Sequence, residues 1–119
     1  MNEHEKINYL EFPAHDMTAT KAFFAKVFGW VFEDYGPEYV AFSSAGVDGG
    51  FYLSQRHAST ESGSVLVVFY SEALEETMEK IKSAGGEIVK PVFHFPGGRR
   101  FHFVDPNKNE FAVWSDKGL

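Results

Sequence analysis

The chain has 119 residues, of which 44 % are hydrophobic and 24 % charged, so it is long enough for one domain with its own core. Its net charge is −6 and its basic residues form no cluster beyond Arg99 and Arg100, which makes binding to nucleic acid or an anionic membrane unexpected. The absence of cysteine excludes disulfides, thiolate metal sites and a cysteine nucleophile. The N-terminal residues lack an apolar signal segment, and no apolar run approaches the roughly 18 residues that cross a bilayer. We therefore expect a cytoplasmic protein.

The first half of the chain predicts a strand, a helix and three further strands. Residues 7–13 alternate in the manner of a half-buried strand. A helix is predicted over 17–28, with Asp16 as its N-cap and Gly29 in the left-handed conformation that ends helices. Three strands, separated by turn-forming residues, are predicted at about 30–35, 38–43 and 49–54.

The second half repeats this order after a polar linker at 57–63. A strand apolar on both faces is predicted at 64–70, followed by a helix at 72–84 that ends at Gly85 and Gly86. Three strands complete the chain, with turns at 95–98 and 105–109.

The strand–helix–three-strand order therefore occurs twice, with a period of about 57 residues, which indicates an internal duplication. We divide the chain into module one (6–56), the linker (57–63) and module two (64–116). One helix covers one face of each module's sheet. The other face must be covered by another module or curve around a ligand.

Three motifs in this order resemble the vicinal oxygen chelate superfamily, which includes glyoxalases, bleomycin and fosfomycin resistance proteins and ring-cleaving dioxygenases. They are Asp16–Trp30 with its Val-Phe-Gly-Trp end, the helix stop Ala84–Gly86, and the hairpin Phe103–Phe111 with Asp-Pro-Asn-Lys-Asn. The resemblance covers about residues 6–116 and is greatest to a bacterial subgroup of glyoxalase-related proteins of unassigned activity. It implies an α+β fold in which two βαβββ modules form a curved eight-stranded mixed sheet, a cup with the helices outside, and it implies a homodimer.

The resemblance also locates four metal-ligand positions, one on the first and one on the fourth strand of each module. They correspond to Tyr9, to Gly50 or Tyr52, to Leu66 and to Ala112. None is a usual ligand for nickel, zinc, manganese or iron(II), which prefer imidazole or carboxylate. The standard metal site is therefore predicted to be absent, and no cofactor is predicted.

If Tyr9 and Ala112 face into the cup, residues two positions away face inward too. The hairpin closed by 105–109 would set His102 opposite Ala112, and the turn before Arg100 would bring His94 to the same face. The predicted ligand-binding residues, which suit a partly polar organic molecule, are Tyr9, Glu11, Tyr52, His94, Arg100, His102 and Trp114.

Several functions fit this pattern. The main prediction is a glyoxalase-like or bleomycin-resistance-like protein that binds a small organic molecule without the usual metal. The alternative is an enzyme: a metal-dependent lyase, isomerase or dioxygenase whose divalent ion is held by His94, His102 and Glu11, or a metal-free catalyst that uses Glu11 and a histidine. A third is a structural protein whose own Phe and Trp side chains fill the cup. The sequence leaves open whether the cup forms within one chain or by exchange of modules between two chains.

Overall fold

A computed structural model describes residues 2–119, which fold in the predicted order of strand, helix and three strands, twice. The elements are β1 (Tyr9–Ala14), α1 (Met17–Phe28), β2 (Val31–Asp34), β3 (Tyr39–Ser43), β4 (Asp48–Leu53), β5 (Val67–Tyr70), α2 (Leu74–Ser83), β6 (Glu87–Phe95), β7 (Gly98–Val104) and β8 (Glu110–Ser115). None of the helices in this range is long and apolar enough to cross a membrane.

Helix α1 begins and ends where its local signals place it. The Asp16 carboxylate accepts the backbone N–H of Ala19 at 2.9 Å, and Gly29 has φ of 73°. Its apolar stripe, which includes Phe23 and Phe24, is buried against the strands. The predicted bounds of this helix are confirmed because capping residues lie at both ends.

The strands form two four-stranded sheets, in the orders β1-β4-β3-β2 and β5-β8-β7-β6. The pairs β1/β4 and β5/β8 are parallel and the other neighbours antiparallel. The α+β class and the two modules are confirmed, but a continuous eight-stranded sheet is not formed in the part of the chain described. Strands β1 and β5 are both edge strands, and an apolar cavity of about 330 Å³ lies beside them. Bulky side chains such as Phe12 and Phe69 lie between β1 and β5, where a continuous sheet would have backbone hydrogen bonds.

Aromatic side chains join the two sheets into one core. Phe24 of α1 contacts Phe51 of the first sheet and Phe111 of the second, with ring centroids 5.4 Å and 5.6 Å apart. Phe28 stacks on Phe69 of β5 at 4.1 Å. The high phenylalanine content therefore reflects a core shared by both modules.

The turn between β7 and β8 fastens module two to the start of α1. Oδ1 of Asn107 accepts the backbone N–H of His15 at 3.0 Å, and Nδ2 of Asn109 donates to the carbonyl of Pro13 at 2.7 Å. The buried Asp105 carboxylate accepts the N–H groups of Asn107 and Asn109, each at 2.9 Å. Burial raises the pKa of Asp105, although these hydrogen bonds act in the opposite direction. The sequence showed these residues only as turn formers.

Strand alternation leaves one face of each sheet without a helix. In the first sheet Phe12 and Phe51 point to the core, so their neighbours Glu11 and Gly50 lie on the opposite face, the first open face. In the second sheet Phe111 and Val113 point to the core, and Ala112 lies on the second open face. These two faces contain the candidate site residues other than His94.

Candidate functional site

The pairing of β7 with β8 puts three candidate residues on the second open face. His102 is opposite Ala112 and Arg100 is opposite Trp114, and directly paired residues point to the same side of a sheet. The predicted register of this hairpin is confirmed. His102, Arg100 and Trp114 therefore line one surface.

The prediction that His94 lies on the same face as Arg100 and His102 is wrong. A tight turn pairs Phe95 with Gly98, which sets Phe93 opposite Arg100 and His94 opposite Arg99. Arg99 points the other way, where its Nη2 donates to Glu75 of α2 at 2.9 Å. His94 is thus exposed on the helix side of β6, because the length of the turn shifts the register by one residue.

Arg100 is a cation without an anionic partner. Its guanidinium lies over the ring of Phe93, with the central carbon 5.2 Å from the ring centroid. Its Nε is buried and has no hydrogen-bond acceptor, and among the described residues no carboxylate forms an ion pair with it. Beside it the ring of Trp114 lies 5.1 Å from that of Tyr70 and 6.2 Å from that of Phe95. The surface combines a positive charge with aromatic rings.

His102 and Glu110 form a buried pair next to Arg100. Nδ1 of His102 lies 2.7 Å from Oε2 of Glu110, and Oε1 accepts the N–H and hydroxyl of Thr60, each at 2.9 Å. Burial alone would raise the pKa of Glu110, but the hydrogen bonds from Thr60 and His102 lower it overall, so the carboxylate is ionised. The ionised carboxylate accepts from Nδ1 of His102, and the buried Nε2 of this ring has no hydrogen-bond partner among the described residues. The second ring nitrogen is therefore available for a hydrogen bond to a ligand.

The first open face carries a chain of hydrogen bonds. The hydroxyl of Tyr39 donates to Oε2 of Glu11 at 2.8 Å, and the hydroxyls of Tyr9 and Tyr39 lie 2.6 Å apart. The Tyr39 hydroxyl lies above Gly50, where a Cβ would be only 2.1 Å from it. Desolvation, with the bonds to Tyr9 and Glu11, raises the pKa of Tyr39, so this phenol stays protonated. Sequence reasoning missed Tyr39; its cross-strand pairing with the predicted Tyr52 is the signal that identifies it.

The positions of the standard metal ligands do not fit a metal. Tyr9, Gly50 and Ala112 occupy the expected strands, and Leu66 lies just before β5. Within residues 2–119 no three His, Asp or Glu side chains are placed to share an ion. The suggested replacement set also fails within one chain, since His94 lies on the helix side of β6, Glu11 on the other sheet and His102 with Glu110.

The seven predicted site residues therefore fall into three places. Three lie on the first open face, three on the second, and His94 lies on neither. The first open face contains Tyr9, Glu11 and Tyr52. The second open face contains Arg100, His102 and Trp114, and His94 lies on the helix side of β6. Among the described side chains, no hydrogen bond, ion pair or aromatic pair connects the predicted residues of one open face to those of the other.

Comparison with known proteins identifies the class. The family model of the Glyoxalase/Bleomycin resistance protein/Dioxygenase superfamily matches residues 6–113, so the chain belongs to this superfamily, as the resemblance predicted. No match was found among curated protein sequences.

Solved structures share the fold at low sequence identity. A glyoxalase-related enzyme from Fulvimarina pelagi has a TM-score of 0.75 at 20% identity, covering 93% of this chain and 88% of that one. A glyoxalase/bleomycin resistance protein/dioxygenase family enzyme from Burkholderia phytofirmans PsJN has a TM-score of 0.76 at 16% sequence identity, and the match covers 92% of this chain and 98% of that one. The fosfomycin resistance protein FosX from Listeria monocytogenes, complexed with Mn(II) and a dihydroxypropylphosphonic acid, has a TM-score of 0.73 at 22% sequence identity. The match covers 94% of this chain and 90% of that one. These likenesses show the fold alone.

Proposed function

We propose that this protein binds a small organic anion on its second open face, without the metal of its metal-dependent relatives. The observation that carries the proposal is Arg100, whose guanidinium has no carboxylate partner among the described residues and lies over the ring of Phe93, with Trp114 as the cross-strand partner of Arg100. A guanidinium offers a planar fork of N–H donors that matches a carboxylate or phosphonate. A bound anion would satisfy the donors that the chain itself leaves free.

The surroundings favour an anion with an apolar body. Phe93, Phe95 and Trp114 supply ring surfaces, and aromatic walls with a few placed polar groups are typical of small-molecule sites. The buried Nε2 of His102 has no hydrogen-bond partner among the described residues, which suits a hydroxyl group on the same ligand because a hydroxyl can both donate and accept. An aromatic or branched hydroxy acid has the anionic group, the apolar body and the hydroxyl group that these residues suit.

Neighbouring arginines provide a matched test. Arg100→Gln removes the unpaired charge, whereas Arg99→Gln removes a charge that is already paired with Glu75 on the other side of the sheet. We expect benzoate to bind the wild type and to lose at least about tenfold in affinity in Arg100→Gln, since a charged hydrogen bond contributes about 1.5–3 kcal/mol. Titration calorimetry at constant ionic strength measures this, with benzyl alcohol as the neutral ligand.

Arg99→Gln is expected to bind benzoate as the wild type does. Equal losses in both variants, or equal binding of benzoate and benzyl alcohol, would contradict the proposal. Binding that requires about one equivalent of a divalent metal per chain would contradict its metal-free part and favour the metal-dependent enzyme instead.

We further propose that the protein is a homodimer. Each sheet leaves one face open, and the edges of β1 and β5 have no strand neighbour in the described chain. Exposed large side chains accompany these features, including Val65, Val68 and Tyr70. Light scattering at micromolar concentration should give twice the 13.4 kDa chain mass. A single-chain mass would contradict the dimer.

A further inference from the structure

We propose a second binding site, on the first open face, for a small organic cation with a quaternary or primary ammonium group. Its members are Glu11, Tyr9, Tyr39 and Tyr52, which lie on β1, β3 and β4. The site goes beyond the anion-binding function proposed above and uses none of its residues.

The directions of the hydrogen bonds leave this site able to accept hydrogen bonds from a ligand. Tyr39 has one hydroxyl proton and gives it to Glu11, so the short contact between the two phenols requires Tyr9 to donate to Tyr39. Both phenolic protons are then used inside the chain. The remaining lone pairs of Tyr9 and Glu11 are left to accept hydrogen bonds from a ligand, which must supply the donors or the positive charge.

The carboxylate of Glu11 forms no ion pair within residues 2–119. No Lys, Arg or His of the described residues lies within ion-pair distance of its carboxylate. Its only hydrogen-bond donor there is the neutral phenol of Tyr39. An organic cation can therefore approach the exposed Glu11 carboxylate without displacing a cationic side chain of the described residues.

Three tyrosine side chains share this face of the sheet with Glu11. Tyr39 and Tyr52 are cross-strand partners, and Tyr9 is joined to Tyr39 through its hydroxyl. Tyr9 is 44% exposed and Tyr52 40% exposed, and none of the three rings forms a stacked or edge-on pair with another ring among the described residues. Aromatic faces next to a negative charge attract ammonium groups through cation–π interactions, and several rings around one position recognise quaternary ammonium.

A cavity of ligand size adjoins these groups. It measures about 480 Å³ and is lined by Glu11 and Tyr52 together with apolar side chains such as Leu10 and Val67. Arg56 also lines it and forms no ion pair with any described residue. Because Arg56 is positive, it opposes a cation and would assist an anion. The effect of removing Arg56 therefore gives the sign of the ligand charge.

The first experiment uses the wild-type protein with choline and with its uncharged carbon isostere, dimethylbutanol. The two have nearly the same shape, so any preference for choline measures charge. We expect choline to bind at least about fivefold more tightly, because only choline carries the positive charge that the tyrosine rings and the Glu11 carboxylate attract. In NMR titrations choline should shift the ring resonances of Tyr9, Tyr39 and Tyr52 and leave those of Tyr70 on the second sheet unchanged.

Three variants test the assignment. Glu11→Gln keeps the shape of the side chain and should weaken choline binding about fivefold or more, because the charge is lost. Arg56→Gln should tighten choline binding. Asp34→Asn removes a carboxylate of the same sheet that is paired with Lys21 of α1, and it should leave choline binding unchanged.

The proposal is overturned if choline binds no better than dimethylbutanol, if Glu11→Gln and Asp34→Asn behave alike, or if Arg56→Gln weakens binding. It is also overturned if choline leaves the tyrosine resonances of the first sheet unshifted, as when a second copy of the chain covers this face. The wild-type titration keeps the test valid even if a variant fails to fold. Failure of the benzoate experiment would leave these outcomes unaffected, since the two tests probe different sheets.

Discussion

Asn107 shows how one buried side chain can fasten two modules. Its Oδ1 accepts the N–H groups of His15 and Asp16, and its Nδ2 donates to the hydroxyl of Thr20 at 2.7 Å and to Asp105. We predict that Asn107→Ala lowers the free energy of unfolding by about 3 kcal/mol, because it leaves two backbone donors at the start of α1 unsatisfied and opens a cavity. Urea unfolding followed by circular dichroism measures this.

The adjacent residue supplies the control. Lys108 is exposed, lies in the same turn and has φ of 71°, a conformation that glycine adopts without strain. Lys108→Gly should therefore change the free energy of unfolding by less than about 1 kcal/mol. A similar loss in both variants would mean that the turn conformation, rather than the hydrogen bonds of Asn107, sets the stability.

At the scale of elements, capping and turn residues predicted most helix bounds and the register of the β7/β8 hairpin. The cap at Asp16 and the stop at Gly29 gave α1 its bounds, and the turn at 105–109 gave the register of β7 with β8. Helix α2 begins two residues later than predicted: Leu74 is its first residue and Ala73, at its N-cap position, makes no side-chain cap. Its start is less sharply encoded than that of α1, and so it was less predictable.

The prediction of pairing failed where it depended on turn length or on distant contacts. His94 was assigned to the wrong face because one residue of difference in the turn before β7 reverses every side chain of β6. The irregular pairing between Lys90 and Phe93 adds a second shift that composition does not reveal. Tyr39 was missed because its role depends on Glu11, 28 residues away, and on Gly50, whose lack of a side chain leaves room for the Tyr39 hydroxyl.

At the scale of the whole molecule, the modules are predicted to unfold together. Trp30 stacks on Phe42 of the first sheet at 4.2 Å and lies 6.0 Å from Phe69 of the second, so the aromatic core is continuous. Neither module can open this core without exposing apolar surface of the other, at about 25 cal/mol per Å². A duplicated chain with separate cores would instead unfold in two steps.

One tryptophan in each module allows a direct test. Trp114→Phe leaves Trp30 as the reporter of module one, and Trp30→Phe leaves Trp114 as the reporter of module two. Within each variant, we expect the urea midpoint from fluorescence to equal that from far-ultraviolet circular dichroism, which follows both modules. Protein concentration is held constant because dimerisation would shift both midpoints. If Trp114 fluorescence changes at lower urea than the dichroism, module two unfolds first, and the contacts of Phe24, Phe28 and Asn107 across the junction are too weak to couple the modules.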